Sequence, residues 1–431
     1  MKNFAEHLAN VEPLNLAAAA RGGGLSFLSR LNDFPFGGRS LLEHTQAVMD
    51  AVLAQAPCVP PGEEARQPSV ADGSVMTPWW SPMPAVYAAA LFLHAGLPEV
   101  GRSDSGRCLS VGGGPPHALE SARIARAVLR EAGVPFVVRQ HAAVLVANQR
   151  RAPNLPGSGA PAETYMRLAC TLDLRALWHL MRAELAAAGS GQNAAAARLD
   201  AFRERAEGFG VFGRPHSPPL DARRVRDIGF EGAELHRALN ALRYFELVAR
   251  MNEEDWYVER LRLERGRPRG RLHLLVGPAG CGKSSWAQEH LADTVIVSSD
   301  RMREELTGDP ADQSQNYLVF QRCMDRVREH LRAGEAVTFD ATNYSEHLRS
   351  MPVQAARWSA AEIVSYFFDV ALPCALERNR ARPRAVPEHV IRRHYRLIEL
   401  PALYEADRHM VVDAEGQLSQ YWPVEEAAMG A

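Results

Sequence analysis

At 431 residues the chain is long enough for two or three domains, each with a core of its own. Hydrophobic residues make up 46% and charged residues 23%, inside the ordinary soluble range, and the formal net charge is −2. That balance excludes a globally basic nucleic-acid or lipid binder, so any polyanion site must be a local patch.

The six cysteines (Cys58, Cys108, Cys170, Cys281, Cys323 and Cys374) form no C-x-x-C pair and no metal-finger spacing. Scattered in this way they read as reduced thiols of a cytosolic protein, and a cytoplasmic location is expected. The start, MKNFAEHLANVEPLN, carries charges and lacks an apolar h-region, so it does not read as a secretory signal. No uninterrupted run of about 20 apolar residues occurs, so no membrane span and no membrane partner are expected.

Residues 1–190 are dominated by helical periodicity. SLLEHTQAVMDAVLAQA, PAVYAAALFLHAG, HALESARIARAVLREAG and YMRLACTLDLRALWHLMRAELAAAG all place apolar residues at i, i+3 and i+4. Pro- and Gly-rich loops at 56–73 and 101–116 separate them, and an all-α domain is expected. Residues 191–266 read as a helical connector that ends at the punctuating string RGRPRG. From about residue 267 to 431 the period changes. RLHLLVG, TVIVSSD, AVTFDAT, AEIVSYFFDV and HMVVDAEG are short β-branched or aromatic runs, most of them separated by helical segments. That alternation predicts an α/β domain with a parallel sheet and helices on both faces.

Gly277–Ser284 reads GPAGCGKS and fits G-x-x-x-x-G-K-[ST] in full, after an apolar run and before a helix-compatible segment. Glycines at 277, 280 and 282 let backbone N–H groups close around phosphate oxygens at a helix N-terminus. Lys283 places a cation against the β- and γ-phosphates, and Ser284 offers a hydroxyl to Mg²⁺, with Ser285 beside it. ATP and Mg²⁺ are therefore the expected cofactors. A guanine-reading N-K-x-D and a paired-acid strand ending are both missing, which argues against a GTPase or a motor.

Three further segments point to phosphoryl transfer. Asp300, at the end of the second strand, offers either a carboxylate for an attacking hydroxyl or a cap for the next helix, while Arg303 offers an anion contact on an acceptor. Asp340, Thr342 and Asn343 end another strand, with either a magnesium-linked role or a simple turn for Asp340. The segment ERNRARPRAVPEHVIRRHYR, Glu377–Arg396, holds seven arginines against two glutamates and is broken by Pro383 and Pro387. It reads as an arginine-bearing lid over a triphosphate.

In order, G-x-x-x-x-G-K-S, S-x-D-x-x-R, D-x-T-N and R-N-x-x-R-x-x-x-V-P resemble the kinase module of the polynucleotide 5′-hydroxyl kinases, over about residues 270–424. The resemblance implies that Asp300 is the general base on a 5′-hydroxyl and that Arg303 holds an acceptor-strand phosphate, with Thr342 and Asn343 on the same substrate side. It implies that Arg378 and Arg382 contact the donor phosphates, Arg382 also catalytically. The acceptor is then a 5′-OH end of RNA or DNA read through phosphate contacts, and an RNA ligase is the partner that end healing implies. Without the resemblance, the residues lead only as far as a small-molecule or polynucleotide kinase.

In the helical half His44, His94, His117 and Asp173 lie on four segments. Their arrangement resembles that of HD-type metal phosphohydrolases, which implies a Mn, Co or Ni centre acting on 3′-phosphate or 2′,3′-cyclic ends. The name-giving His-Asp is here His94-Ala95, and Asn148 and Gln149 stand where such a domain presents a further histidine. These departures predict a degenerate HD fold with little or no phosphohydrolase activity, unless Asp104 replaces the missing carboxylate. The competing readings are a bifunctional kinase and phosphatase, a small-molecule kinase, and an ATP-gated protein that senses RNA ends.

Overall fold

The computed structural model describes residues 2–21, 25–55, 83–100, 116–189, 191–266, 269–309 and 312–422. Cys58, Cys108 and Asp104 lie outside them, and the four other cysteines are free thiols. Contacts divide the chain into two compact units, the first ending at His216 and the second beginning at Ser217. The stretch read as a connector is shared between them.

The first unit opens with α1 (Lys2–Ala9), α2 (Leu16–Arg21) and α3 (Ser26–Asn32). A hairpin of two short strands follows, β1 (Pro35–Phe36) and β2 (Arg39–Ser40), where only helix was expected. Then come α4 (Leu41–Ala54), α5 (Met83–Phe92), α6 (Leu97–Val100), α7 (Pro116–Glu131), α8 (Phe136–Ala147), α9 (Arg151–Asn154), α10 (Ala162–Ala169), α11 (Leu174–Ala188) and α12 (Asn193–Gly208).

Helix α5 is apolar all round, and Ala85 to Phe92 are all buried, so it is the axis around which α4, α7, α8 and α11 pack. The segment Met83–Val100 is the one described stretch long and apolar enough for a membrane span, yet 72% of it is buried within the fold. Helix α4 starts on a capping box, with Ser40 and Glu43 each accepting from the other's backbone N–H. At the α5–α6 turn Gly96 donates to Ser121 Oγ (2.8 Å), and a Cβ there would meet the His117 carbonyl at 2.5 Å. That close approach brings His94 beside α7.

The second unit begins with α13 (Ala222–Ile228), α14 (Gly232–Leu247) and α15 (Glu254–Glu264). An alternating domain follows: β3 (Arg271–Val276), α16 (Lys283–His290), β4 (Val295–Ser298), α17 (Ser299–Thr307), α18 (Asn316–Arg332), β5 (Ala336–Asp340), α19 (Glu346–Trp358) and β6 (Glu362–Phe368). It closes with α20 (Leu372–Arg380), α21 (Glu388–Leu397), β7 (Arg408–Val412) and β8 (Leu418–Trp422).

The sheet order is β4-β5-β3-β6-β7-β8, parallel throughout except for the antiparallel edge β8. All five expected strands form, and β8 is an addition. Residues 272–276 of the central β3 are all buried, as a parallel strand covered on both faces requires. The chain leaves β3 for β4 on one side and later enters β6 on the other. The carboxyl end of β3 is therefore the switch point at which open α/β sheets bind ligands.

Candidate active site

The phosphate loop leaves β3 at Gly277, whose N–H donates to the Thr342 carbonyl (3.0 Å). Gly280 and Gly282 have φ of +83° and +99°, which glycine adopts without strain. A Cβ on Gly280 would also meet the Ala375 carbonyl of α20 at 2.5 Å, so the loop is wedged directly against that helix. Lys283 is buried, and its ammonium donates to the carbonyls of Gly277 (2.9 Å) and Pro278 (2.7 Å). Folding onto its own loop satisfies the charge until a more anionic partner arrives. Ser284 and Ser285 are exposed in the first turn of α16.

Beside the loop, Ser298 of β4 and Asp340 of β5 are register partners at the strand ends. Asp300, one residue into α17, does not cap it: the cap position is Ser298, with no side-chain bond. The Asp300 side chain is 71% exposed and accepts from Arg303 Nη1 (2.8 Å). Arg303 is buried, and its Nη2 donates to Asn316 Oδ1 (3.0 Å). An accessible carboxylate thus sits on a fixed guanidinium at the carboxyl end of the sheet, with β5 between its strand and the one that leads into the phosphate loop.

Two of the expected contact residues, Asn343 and Arg378, are engaged with backbone carbonyls. Asn343 is buried with φ +45°, and its amide donates to the Leu275 carbonyl (3.0 Å), so its side chain shapes the turn. The Thr342 backbone carbonyl accepts from the Gly277 N–H at the start of the loop. Arg378 donates to the Cys281 carbonyl (3.0 Å) and to that of Ala414, clamping the loop from behind. Arg382 is exposed between α20 and α21, with no side-chain partner among the described residues.

The segment between α20 and α21 is anchored by a residue outside the expected set. Asn379 is buried, donates to the Val386 carbonyl (2.8 Å) and accepts from the Val386 N–H (2.9 Å), pinning both ends of the Arg382 segment. His394 of α21 is another. Its Nδ1 faces the Ala279 N–H (3.5 Å) and its ring stacks on Tyr344 at 4.4 Å.

Burial, then Lys283 and Arg393, hold the His394 imidazole down to about 4, and burial first does the same to His273 (about 4) and His409 (about 3). Since these folded-state values are lowered, the unfolded chain binds more protons below the ordinary histidine value of about 6.5. Stability is full above that value and falls as the pH drops toward 4. A clearly lower melting temperature at about pH 5 than at about pH 7.5 is the expected result; equal melting temperatures would contradict it.

In the first unit His44 and His94 come together, with ring centroids 5.5 Å apart. Both Nε2 atoms reach the Glu184 carboxylate, His44 at 3.0 Å from each oxygen and His94 at 2.9 Å from one. Burial works to raise the Glu184 carboxyl, but the hydrogen bonds from His44 and His94 prevail and hold it down to about 2. His117 lies one ring further, 6.2 Å from His94, and burial pushes it down to about 4. Arg39 of β2 donates to His44 Nδ1 and to the Ala187 carbonyl of α11.

Asp173 does not join the cluster. It caps α11 by accepting from the N–H of Arg175 and Ala176, eleven residues or about 16 Å along that helix from Glu184. Asn148 and Gln149 also serve backbone, Asn148 bonding to Val144 O and Gln149 to Leu93 O and Val146 O. The acidic member of the cluster is Glu184, which is 140 residues from His44 in sequence and carries no motif to mark it.

Residues 272–401 match the family model of an AAA domain. No curated protein matches the chain. Among solved structures, a gluconokinase from Sinorhizobium meliloti 1021 is similar, at 17% identity and a TM-score of 0.26, over 34% of this chain and 84% of that one. The match to the AAA family model lies within the second unit and spans its P-loop α/β domain from β3 to beyond α21.

Proposed function

We propose that this protein is an ATP- and Mg²⁺-dependent polynucleotide 5′-hydroxyl kinase joined to a degenerate HD-like helical domain. The observation that carries the reading is the Asp300–Arg303 pair at the same carboxyl end of the sheet as the phosphate loop. A small phosphoryl acceptor needs the carboxylate. A buried arginine next to that carboxylate suits an acceptor that brings a phosphate of its own, one nucleotide beyond its 5′-hydroxyl.

The loop fits a triphosphate: Gly280 and Gly282 are already in the left-handed conformation, and Lys283 lies within it. The exposed Ser284 hydroxyl, with Asp340 at the end of the strand next to β3, offers the hard oxygen donors that magnesium takes. When bound, magnesium neutralises charge on the β- and γ-phosphates. In this reading Lys283 turns from the loop carbonyls to the phosphates, Asp300 accepts the proton of the attacking hydroxyl, and Arg382 closes over the donor from the hinge held by Asn379.

The test is transfer of label from γ-labelled ATP to 5′-OH RNA and DNA oligonucleotides. Labelled 5′ ends are expected, and these are the ends that a ligase consumes. Label on small polyols or nucleosides but on no oligonucleotide would sink the polynucleotide reading and leave a small-molecule kinase.

A further inference from the structure

We propose that Arg39 locks the His44–His94–Glu184 cluster as a metal-free hydrogen-bond relay, and that this one side chain is what bars a transition metal from it. Three potential ligand atoms, one from each residue, lie within 4.8 Å of one another, so spacing alone would allow an ion. The hydrogen-bond directions do not. A guanidinium has five N–H donors and no acceptor. His44 Nδ1, facing Arg39 Nη2, must therefore present its lone pair, and the proton of the neutral ring sits on Nε2.

That Nε2–H points between the two Glu184 oxygens. A histidine that ligates through Nε2 needs the opposite tautomer, with Nδ1–H donating to a carbonyl or carboxylate. Here such a proton would be driven against the guanidinium. His94 is under no such constraint, since its buried Nδ1 has no partner among the described residues and can take up the proton that Nε2 gives away.

Charge gives the same answer. Glu184 already balances Arg39, whose second partner, the Ala187 carbonyl, holds it on the same helix as Glu184. A divalent ion would add positive charge beside a fixed cation. The relay ties the β1–β2 hairpin, α4, the end of α5 and α11 together, with Phe36 over both imidazoles at 4.7 and 5.3 Å.

The experiment compares cobalt(II) uptake by the full-length protein, R39Q, H94A and R39Q/H94A, read by visible absorption and by metal content after dialysis. Glutamine removes the charge and supplies an amide oxygen that accepts Nδ1–H. The wild type and H94A should take up the same cobalt, R39Q should gain about one equivalent per chain, and R39Q/H94A should lose it again. Cobalt bound by the wild type and lost in H94A would overturn the proposal, as would a folded R39Q that gains none. Should R39Q fail to fold, long-range ¹H–¹⁵N correlation of the wild-type histidines decides: a His44 Nε2–H tautomer supports the lock and an Nδ1–H tautomer refutes it.

Discussion

Asp300→Asn is expected to lower phosphoryl transfer to a 5′-hydroxyl about 10²–10⁴-fold, the range in which a general base contributes, while ATP binding stays unchanged. Asparagine keeps the shape of the side chain and its amide oxygen still accepts from Arg303, so the pair that shapes the rim is retained. What is lost is the ability to take a proton from the nucleophile. The side chain is 71% exposed, so the exchange disturbs no packing, and a fall in turnover cannot be attributed to unfolding. Single-turnover kinetics with saturating ATP, alongside direct nucleotide-binding measurements, separate the two effects. Activity within about 3-fold of wild type would remove Asp300 from the role of base. Arg303 should behave differently: its replacement should weaken the acceptor oligonucleotide far more than ATP.

Much of the second unit is legible before any coordinates, for a physical reason. Parallel strands are buried on both faces, so RLHLLV, TVIVS and EIVSYFF read as dense apolar runs, and the glycine spacing of the phosphate loop follows from backbone geometry that only glycine supplies easily. The edge strand β8, LSQYW, is short, breaks its apolar residues with Ser419 and Gln420 and carries no such density, so it stays hidden.

Asn343 and Arg378 show a different limit. Both stand at motif positions near the loop, yet the sequence does not say whether a polar side chain turns outward to a ligand or inward to a carbonyl. Here both turn to carbonyls, of Leu275 and Cys281. In the helical unit the two histidines are visible as residues on apolar helices, but their carboxylate partner is not. Glu184 sits on a helix that ends nearly a hundred residues after His94, and only tertiary packing places it there. Asp173 looks the better candidate in sequence, being an acid within an apolar segment. The reason for its position is local, since Asp is a favoured helix N-cap.

Removing the guanidinium of Arg349 is expected to destabilise the second unit by about 3–5 kcal/mol, the usual consequence of leaving one partner of a buried ion pair alone. Arg349 is fully buried on α19. Its Nε and Nη2 donate to the two Glu405 oxygens at 2.8 and 3.0 Å, and its Nη1 donates to the carbonyls of Asn343 (3.0 Å) and Glu399 (3.1 Å). Arg349→Met keeps the volume and strands both the carboxylate and those carbonyls. Glu405→Leu should be comparably harmful, and the double variant should lose less than the two single losses added together, because no charge is then left unpaired. It should not recover fully, since the Asn343 and Glu399 carbonyls still lack their donor. The effect should also reach the active site. Arg349 holds the carbonyl of a residue in the left-handed conformation, and the neighbouring Thr342 carbonyl accepts from Gly277 at the start of the phosphate loop. Variants that remain folded should therefore bind ATP more weakly although no substituted atom approaches it. Denaturant unfolding of the four proteins with parallel nucleotide titrations checks both statements. Strict additivity of the single losses would mean that Arg349 and Glu405 act as separate caps and not as a pair.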